Sequence, residues 1–279
     1  MRRVTVLLIA VAMLVAGCSS GMTNPTTTTA EAAATMTTTA PTTTVASDEE
    51  AMVIVGFGDS VMNTPDTSVA VLRVYAHMVG EEFGVPVDVR DYAQGASKPT
   101  QLITTLDSEM VQASLEEADV VLVEVPQRDV QWPFQTVAGW GGSDPADCGG
   151  DDNQQCLRDY VTENKASVEE IFAKITSICD PSDTLIRTFT MFQMDVETRK
   201  AEDALDITIP YFEEAQDNLE VIAAGYGIPV ADVYREFMGP DGTNDPRDRD
   251  LLIDQRHPSE DGARLIAEML DDLGYDPAN

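Results

Sequence analysis

Three side chains in this sequence could combine into a nucleophile with its base: Ser60, His257 and Asp254. Ser60 directly follows an apolar run and the glycine-containing segment 56–59, a pattern that favours a serine in a sharp turn at the carboxyl end of a strand. His257 follows Asp254 by three residues, ahead of an apolar helical pattern. There, His257 could take the proton of the serine hydroxyl while Asp254 orients its imidazole. Each half of the pattern is weak alone, because such a serine could cap a helix and such a histidine could be a surface residue.

Alternating strands and helices must position these residues, and this alternation favours a parallel sheet covered on both faces. We expect strands over residues 52–57, 85–92, 120–125, 184–190 and 228–233. We expect helices over residues 69–83, 101–118, 157–178, 210–224 and 258–272. Residues 126–155 hold both tryptophans and five glycines, and we expect them to form a long functional or mobile loop.

The amino-terminal end has the pattern of an export signal. Basic residues occupy positions 2 and 3, and the apolar run 4–15 is too short for a comfortable membrane span. The segment Leu-Val-Ala-Gly-Cys at 14–18 resembles a bacterial lipobox, which implies that Cys18 becomes the acylated first residue of the mature protein. An ordinary signal peptide with a chance cysteine is the alternative.

The sequence divides into three regions. Residues 1–17 are the expected signal peptide, and residues 18–47, rich in Thr, Ala and Pro, are an expected disordered tether. Residues 48–279 have the length of one α/β domain. The expected location is the cell membrane, through acylated Cys18, with the domain on the extracytoplasmic side.

The charge of the chain limits its partners. It carries 49 acidic against 17 basic residues, for a formal net charge of −32. So acidic a surface repels nucleic acid and anionic lipid headgroups, which argues against a nucleic-acid partner.

Three cysteines remain beyond Cys18, and an exported protein can keep disulfides. Cys148 and Cys156 flank a Gly-Gly-Asp-Asp turn and are the preferred pair, while Cys156 with Cys179 is the competing pair. No spacing of cysteines and histidines indicates a zinc site, so we expect neither metal nor cofactor.

The order of the two motifs resembles the SGNH, or GDSL, hydrolase family over residues 52–270. Gly-Asp-Ser at 58–60 matches the first family block, and Asp-x-x-His-Pro-Ser at 254–259 matches the last. The resemblance implies a three-layer α/β/α sandwich with a flavodoxin-like parallel sheet of about five strands. It also implies that Ser60 is the nucleophile, that Asp254 and His257 complete a triad, and that the Ser60 N–H is an oxyanion donor.

Two further family blocks concern the oxyanion. Residues 93–97 fall at the family's glycine block, which makes the Gly95 N–H a second donor. The third block usually supplies an asparagine from Gly-x-Asn-Asp, but this sequence has Pro-Gln-Arg-Asp at 126–129, with Arg128 at the asparagine. Arg128 or Gln127 could donate instead, Arg128 could bind an anionic substrate group, or catalysis could have been lost.

The resemblance implies a monomeric serine ester hydrolase acting on an acetylated carbohydrate or a short-chain ester. An acyltransferase would use the same triad, and a catalytically silent lipoprotein would keep the pocket to hold cell-wall glycan. Trp132 and Trp140, with Phe134, could form a substrate-binding platform or lid, or the small core of their own loop.

Overall fold

The computed structural model describes residues 50–63 and 70–276, with Arg128 described through its backbone only. The expected signal peptide, the Cys18 acylation site and the 18–47 tether lie outside the described residues. The side chain of Arg128 lies outside them as well.

A single five-stranded parallel sheet organises the described part of the domain. Its strand order is β2-β1-β3-β4-β5, and every neighbouring pair is parallel. This is the flavodoxin-like order, so the predicted fold class is confirmed. The strands are β1 (Met52–Phe57), β2 (Val87–Asp91), β3 (Val120–Val123), β4 (Leu185–Phe189) and β5 (Val230–Ala231).

Helices cover both faces of this sheet. In chain order they are α1 (Val71–Phe83), α2 (Pro99–Leu106), α3 (Glu109–Glu116), α4 (Arg128–Val137), α5 (Gln155–Thr176), α6 (Val196–Ala201), α7 (Leu205–Gly225), α8 (Val233–Met238) and α9 (Glu260–Asp271). Among the described residues, no helix combines the length and apolar character needed to cross a bilayer.

Two apolar cores separate the helices from the sheet, because successive side chains of a strand point to opposite faces. From β1, Ile54 packs with α1 and α9 on one face. Val55 and Phe57 pack with α2, α3 and the later turns of α5 and α7 on the other face. Burial on both faces explains why the central strands are apolar throughout rather than alternating.

The region 126–155 differs from the expected loop. It contains α4 and two short 3₁₀ helices, Trp140–Gly142 and Pro145–Cys148. The sequence did not predict α4 because Pro133 lies inside it, and a proline, which lacks a backbone N–H, normally argues against a helix.

Other element boundaries also differ. The helix expected over 101–118 is two helices, α2 and α3, interrupted at Asp107 and Ser108, although the apolar spacing runs across the break. The helix expected to open at Pro210 begins at Leu205, so Pro210 lies inside α7. The short helices α6 and α8 were not expected from the sequence.

The disulfide prediction is confirmed for the preferred pair. Cys148 and Cys156 are bonded, with their Cα atoms 4.8 Å apart. The bond joins the end of the second 3₁₀ helix to the first turn of α5. Cys179 is a buried free thiol whose pKa burial raises to about 11, so the competing pairing is not formed.

We expect the double variant Cys148→Ser/Cys156→Ser to be less stable than the oxidised protein by about 2–3 kcal/mol, because the bond restricts the unfolded chain. Urea unfolding curves measure the difference. Adding a reductant should lower wild-type stability to that of the variant and leave the variant unchanged. Equal stability of the variant and the oxidised protein would contradict this structural role.

Candidate active site

Ser60 lies in the turn that follows β1, at the carboxyl edge of the sheet. The turn is attached to the end of β3 by the Asp59 N–H, which donates to Glu124 Oε2 at 2.7 Å. Gly58 permits this contact, because a Cβ at that position would lie 2.4 Å from the same carboxyl oxygen. The Asp59 carboxyl in turn accepts the Val61 N–H at 2.8 Å, which closes the turn around the serine.

The structure brings Ser60 together with the two residues from the far end of the chain. Ser60 Oγ lies 3.1 Å from His257 Nε2, and His257 Nδ1 lies 2.8 Å from Asp254 Oδ2. When Nδ1 carries the proton and donates to Asp254, Nε2 is left with a lone pair toward the hydroxyl. The arrangement can therefore deprotonate Ser60 and stabilise the imidazolium that results.

The loop that carries the base is held partly by its own backbone and partly by the start of α6, where the Asp195 N–H donates to the Gln255 carbonyl at 3.0 Å. The Ile253 N–H donates to the His257 carbonyl at 3.0 Å, and Ser259 Oγ caps α9 by accepting the Gly262 N–H at 3.0 Å. Gly262 packs directly on the loop, since a Cβ there would lie 2.1 Å from the Leu251 carbonyl oxygen. His257 is thus positioned by the start of α9.

Asp254 is arranged to remain ionised. Partial burial acts to raise its pKa, but hydrogen bonds from the His257 ring and from two backbone amides outweigh burial and lower the pKa below its ordinary value. Those amides belong to Arg256 and His257, and they donate to Asp254 Oδ1 at 2.7 and 2.8 Å. A carboxylate held in this way can stabilise the imidazolium that forms when the serine is deprotonated.

Two buried carboxyl groups lie directly behind the nucleophile turn. Glu124 is fully buried, and burial raises its pKa well above the ordinary value, with the nearby Asp59 carboxyl adding to the shift. Burial also raises the pKa of Asp59, against hydrogen bonds from the Val61 and Gln127 amides. Glu124 Oε1 makes no hydrogen bond among the described residues. A proton on Glu124 would therefore join the pair, since two ionised carboxyls cannot share so dry a site.

A cavity of about 230 Å³ opens beside Ser60 and His257. Much of its wall is apolar, and the apolar wall residues are Ala96, Val130, Phe134, Ala138, Trp140 and Met194. Most of these belong to α4 and the segment that follows it, so the region expected to be a loop supplies one side of the cavity.

Polar groups complete the wall. Gln127 is buried, and its side-chain oxygen Oε1 accepts a hydrogen bond from the Tyr160 hydroxyl at 3.1 Å. Arg256 forms an ion pair with Asp195, with hydrogen bonds of 2.8 and 3.1 Å. Arg199 also borders the cavity and is buried. Neither Arg199 nor Asp195 was expected from the sequence, because neither belongs to a motif.

The remaining residues expected at the site fall in different places. Trp140 borders the cavity, but Trp132 is 58% exposed and lines a separate surface groove. Gly95 is exposed in the turn after β2, and the next residue, Ala96, borders the cavity in a left-handed conformation with φ 58°. The Gln94 N–H fastens that turn to the Gly58 carbonyl at 2.9 Å.

Within residues 50–63 and 70–276, no three His, Cys, Asp or Glu side chains are grouped so that they could hold a metal ion.

The carboxyl pair predicts a pH-dependent stability. The folded protein binds the Glu124 proton more tightly than the unfolded chain, so the wild type should lose stability as the pH rises above the ordinary glutamate value of 4.5. The variant Glu124→Gln keeps an acceptor for the Asp59 N–H and adds an NH2 donor that does not titrate. We therefore expect its Tm to fall less than that of the wild type between about pH 5 and about pH 8.

Thermal unfolding at several pH values measures this difference. Glu116→Gln, on the exposed face of α3, is the matched control and should follow the wild-type curve. Parallel curves for wild type and Glu124→Gln would contradict a shared proton.

The backbone of this chain is similar to that of several solved structures, although its sequence is not similar to that of curated proteins. No family model matches the chain, and no curated protein matches its sequence. Solved structures do match. A lipase from a goat rumen metagenome superposes with a TM-score of 0.64 at 16% identity, over 81% of this chain and 98% of its own. An acetyl xylan esterase from Geobacillus stearothermophilus gives a TM-score of 0.56 at 14% identity, over 82% and 97%.

A member of the lipolytic G-D-S-L family from Veillonella parvula gives a TM-score of 0.53 at 17% identity, over 80% of this chain and 98% of its own. These neighbours are similar in backbone over nearly their whole length while sharing few residues with this chain. The chain therefore has the α/β/α fold of the SGNH, or GDSL, hydrolases.

Proposed function

We propose that this chain is a serine ester hydrolase in which Ser60 is the nucleophile, His257 the general base and Asp254 the residue that orients the base. The observation that carries the proposal is the continuous hydrogen-bonded line from Ser60 Oγ through the His257 ring to the Asp254 carboxylate. The line ends in a cavity at the carboxyl edge of a parallel sheet, where α/β proteins commonly bind ligands.

The reaction proceeds through an acyl-enzyme. Ser60 Oγ attacks the ester carbonyl carbon while its proton passes to His257 Nε2, and Asp254 stabilises the imidazolium. The tetrahedral intermediate collapses when His257 returns that proton to the leaving alkoxide, which departs as an alcohol. His257 then takes a proton from a water molecule as the water attacks the acyl-Ser60 carbonyl carbon. The second tetrahedral intermediate releases the carboxylic acid when the bond to Ser60 Oγ breaks, and His257 returns the proton to that oxygen.

The oxyanion needs donors in place of the asparagine that the sequence lacks. We assign the Ser60 and Gly95 backbone N–H groups, following the family resemblance, and add the Gln127 side-chain amide. The Tyr160 hydroxyl donates to the side-chain carbonyl oxygen of Gln127, so the group that Gln127 can offer to a substrate is its NH2. Gln127 borders the cavity and precedes Arg128, the residue that stands at the family's asparagine.

The substrate we propose is a small ester, such as an acetylated carbohydrate or a short-chain acyl ester. The cavity of 230 Å³ is smaller than the roughly 300–1,000 Å³ of sites for drug-sized ligands. Trp140 borders it and offers an aromatic face on which a sugar ring can stack. An acetyl xylan esterase among the structural neighbours supports the same substrate class.

We also propose that the domain acts at the membrane surface, tethered on the extracytoplasmic side through acylated Cys18. The support is the lipobox pattern and the Thr-rich segment after it. The Cys148–Cys156 disulfide is consistent with an exported protein, because such bonds persist in oxidising compartments.

A fluorophosphonate probe tests the nucleophile. We expect the wild type to be labelled covalently at one residue and the Ser60→Ala variant to remain unlabelled, since the probe reacts with activated serines. Intact mass and gel fluorescence measure the labelling. The control is Ser177→Ala, an exposed serine after α5, which should label like the wild type. Equal labelling of the wild type and Ser60→Ala would refute the proposed nucleophile.

A second measurement tests the oxyanion donor. We expect Gln127→Ala to lower kcat on the order of 100-fold with little change in KM, because the donor acts mainly in the transition state. Tyr160→Phe keeps the amide but removes the hydroxyl that orients it, so we expect a smaller loss of kcat than in Gln127→Ala. If Arg128→Ala shows the large loss and Gln127→Ala does not, then Arg128 is the donor.

A further inference from the structure

Arg199, in the short helix α6, is a buried cation on the wall of the candidate active-site cavity. Its side chain is only 5% exposed. One guanidinium N–H group donates to the Gln193 side-chain carbonyl at 2.6 Å. The guanidinium carbon lies 4.6 Å from the centre of the Phe134 ring, close enough for a cation–π contact. Both of these partners are neutral.

No carboxylate neutralises this charge among the residues that the structure describes. The described ion pairs include none to Arg199, and the acid that acts on it most strongly is Asp195. The Asp195 carboxylate is already bound by Arg256 through two hydrogen bonds. Asp195 therefore belongs to another pair, which leaves Arg199 without a carboxylate partner among the described residues.

The charge is retained at neutral pH. Burial lowers the pKa of Arg199 to about 10, which still leaves the guanidinium protonated. Arginine is almost never fully buried unless it is paired, because an uncompensated charge in a dry site is strongly unfavourable. A buried, unpaired cation on the wall of an open cavity is thus a site prepared for an anion.

We propose that Arg199 binds a carboxylate of the substrate, so that the esters cleaved at Ser60 carry a negative charge near the scissile bond. This inference rests on the proposed ester hydrolysis and narrows its substrate class. Arg199 and Ser60 border the same small cavity, so the carboxylate and the ester must be close together in one molecule. The planar guanidinium matches a carboxylate through two parallel N–H donors.

A carboxylate fits the site better than a phosphate. Arg199 contributes one positive charge, which matches the single charge of a carboxylate. A phosphate monoester carries close to two charges and would need more donors than the largely apolar wall offers. Arg256, the second arginine on the wall, is already committed to Asp195.

The kinetic test compares paired esters that differ by one charge. The first pair carries the charge on the acyl side: mono-para-nitrophenyl adipate and its methyl ester. The second pair carries it on the alcohol side: meta-acetoxybenzoate and its methyl ester. In at least one pair, the wild type should prefer the carboxylate by about tenfold or more in kcat/KM, the effect of a hydrogen-bonded charged group. Arg199→Gln should lower that preference at least tenfold, and Arg199→Lys should retain part of it.

A binding test separates this inference from the hydrolase proposal. Isothermal titration of the Ser60→Ala protein with adipate and with benzoate should show binding of at least one, and the added Arg199→Gln change should abolish it. This result does not need catalysis, whereas fluorophosphonate labelling reports on Ser60 alone. An absence of carboxylate binding to the Ser60→Ala protein would overturn the inference even if Ser60 is labelled.

Two other results would also overturn it. A purely structural role for Arg199 predicts that Arg199→Gln lowers kcat/KM for both members of a pair equally, which leaves their ratio unchanged. Tighter binding of phenyl phosphate than of benzoate to the Ser60→Ala protein would show that the site selects a different anion.

Discussion

The hydrogen bond of 3.1 Å between Ser60 Oγ and His257 Nε2 joins two turns that are 197 positions apart in the chain. The sheet and the helices packed on it hold these two turns together. On one side, the parallel sheet brings the ends of β1 and β3 together, and the Asp59–Glu124 contact locks the serine turn to the neighbouring strand. On the other side, α9 packs on the same face of β1 as α1 and delivers the histidine loop to the same edge. Because β1 and β3 point the same way, the serine turn and the end of β3 fall at the same carboxyl edge of the sheet.

The strands and the order of motifs were accessible from the sequence, and the cavity wall was not. Apolar, β-branched runs ending in turn residues placed the buried strands within a few positions. In contrast, α4 contains a proline and precedes a glycine-rich segment, which together resemble a loop. The break between α2 and α3 leaves the apolar spacing intact, so periodicity could not reveal it. The pairing of Glu124 with Asp59 joins residues 65 positions apart and has no local signal.

Basic side chains lie on the wall of this cavity although the molecule is strongly acidic. The chain carries a formal charge of −32, yet among the described side chains Arg199 and Arg256 both border the cavity, and of these two only Arg256 is paired with an acid. The carboxyl pair behind the serine shifts both pKa values upward, which limits the negative charge next to the nucleophile. The environment of the reacting atoms is therefore set by a few buried groups rather than by the surface as a whole.

The loop that carries His257 is bonded to the cavity wall as well as to itself. Hydrogen bonds within residues 251–262 hold its shape. The start of α6 is joined to the same loop, because the Asp195 N–H donates to the Gln255 carbonyl and the Asp195 carboxylate pairs with Arg256. The base and part of the substrate-facing wall therefore form one bonded unit. An engineer who replaces α6 to change what is bound would have to keep these contacts so that the imidazole stays in place.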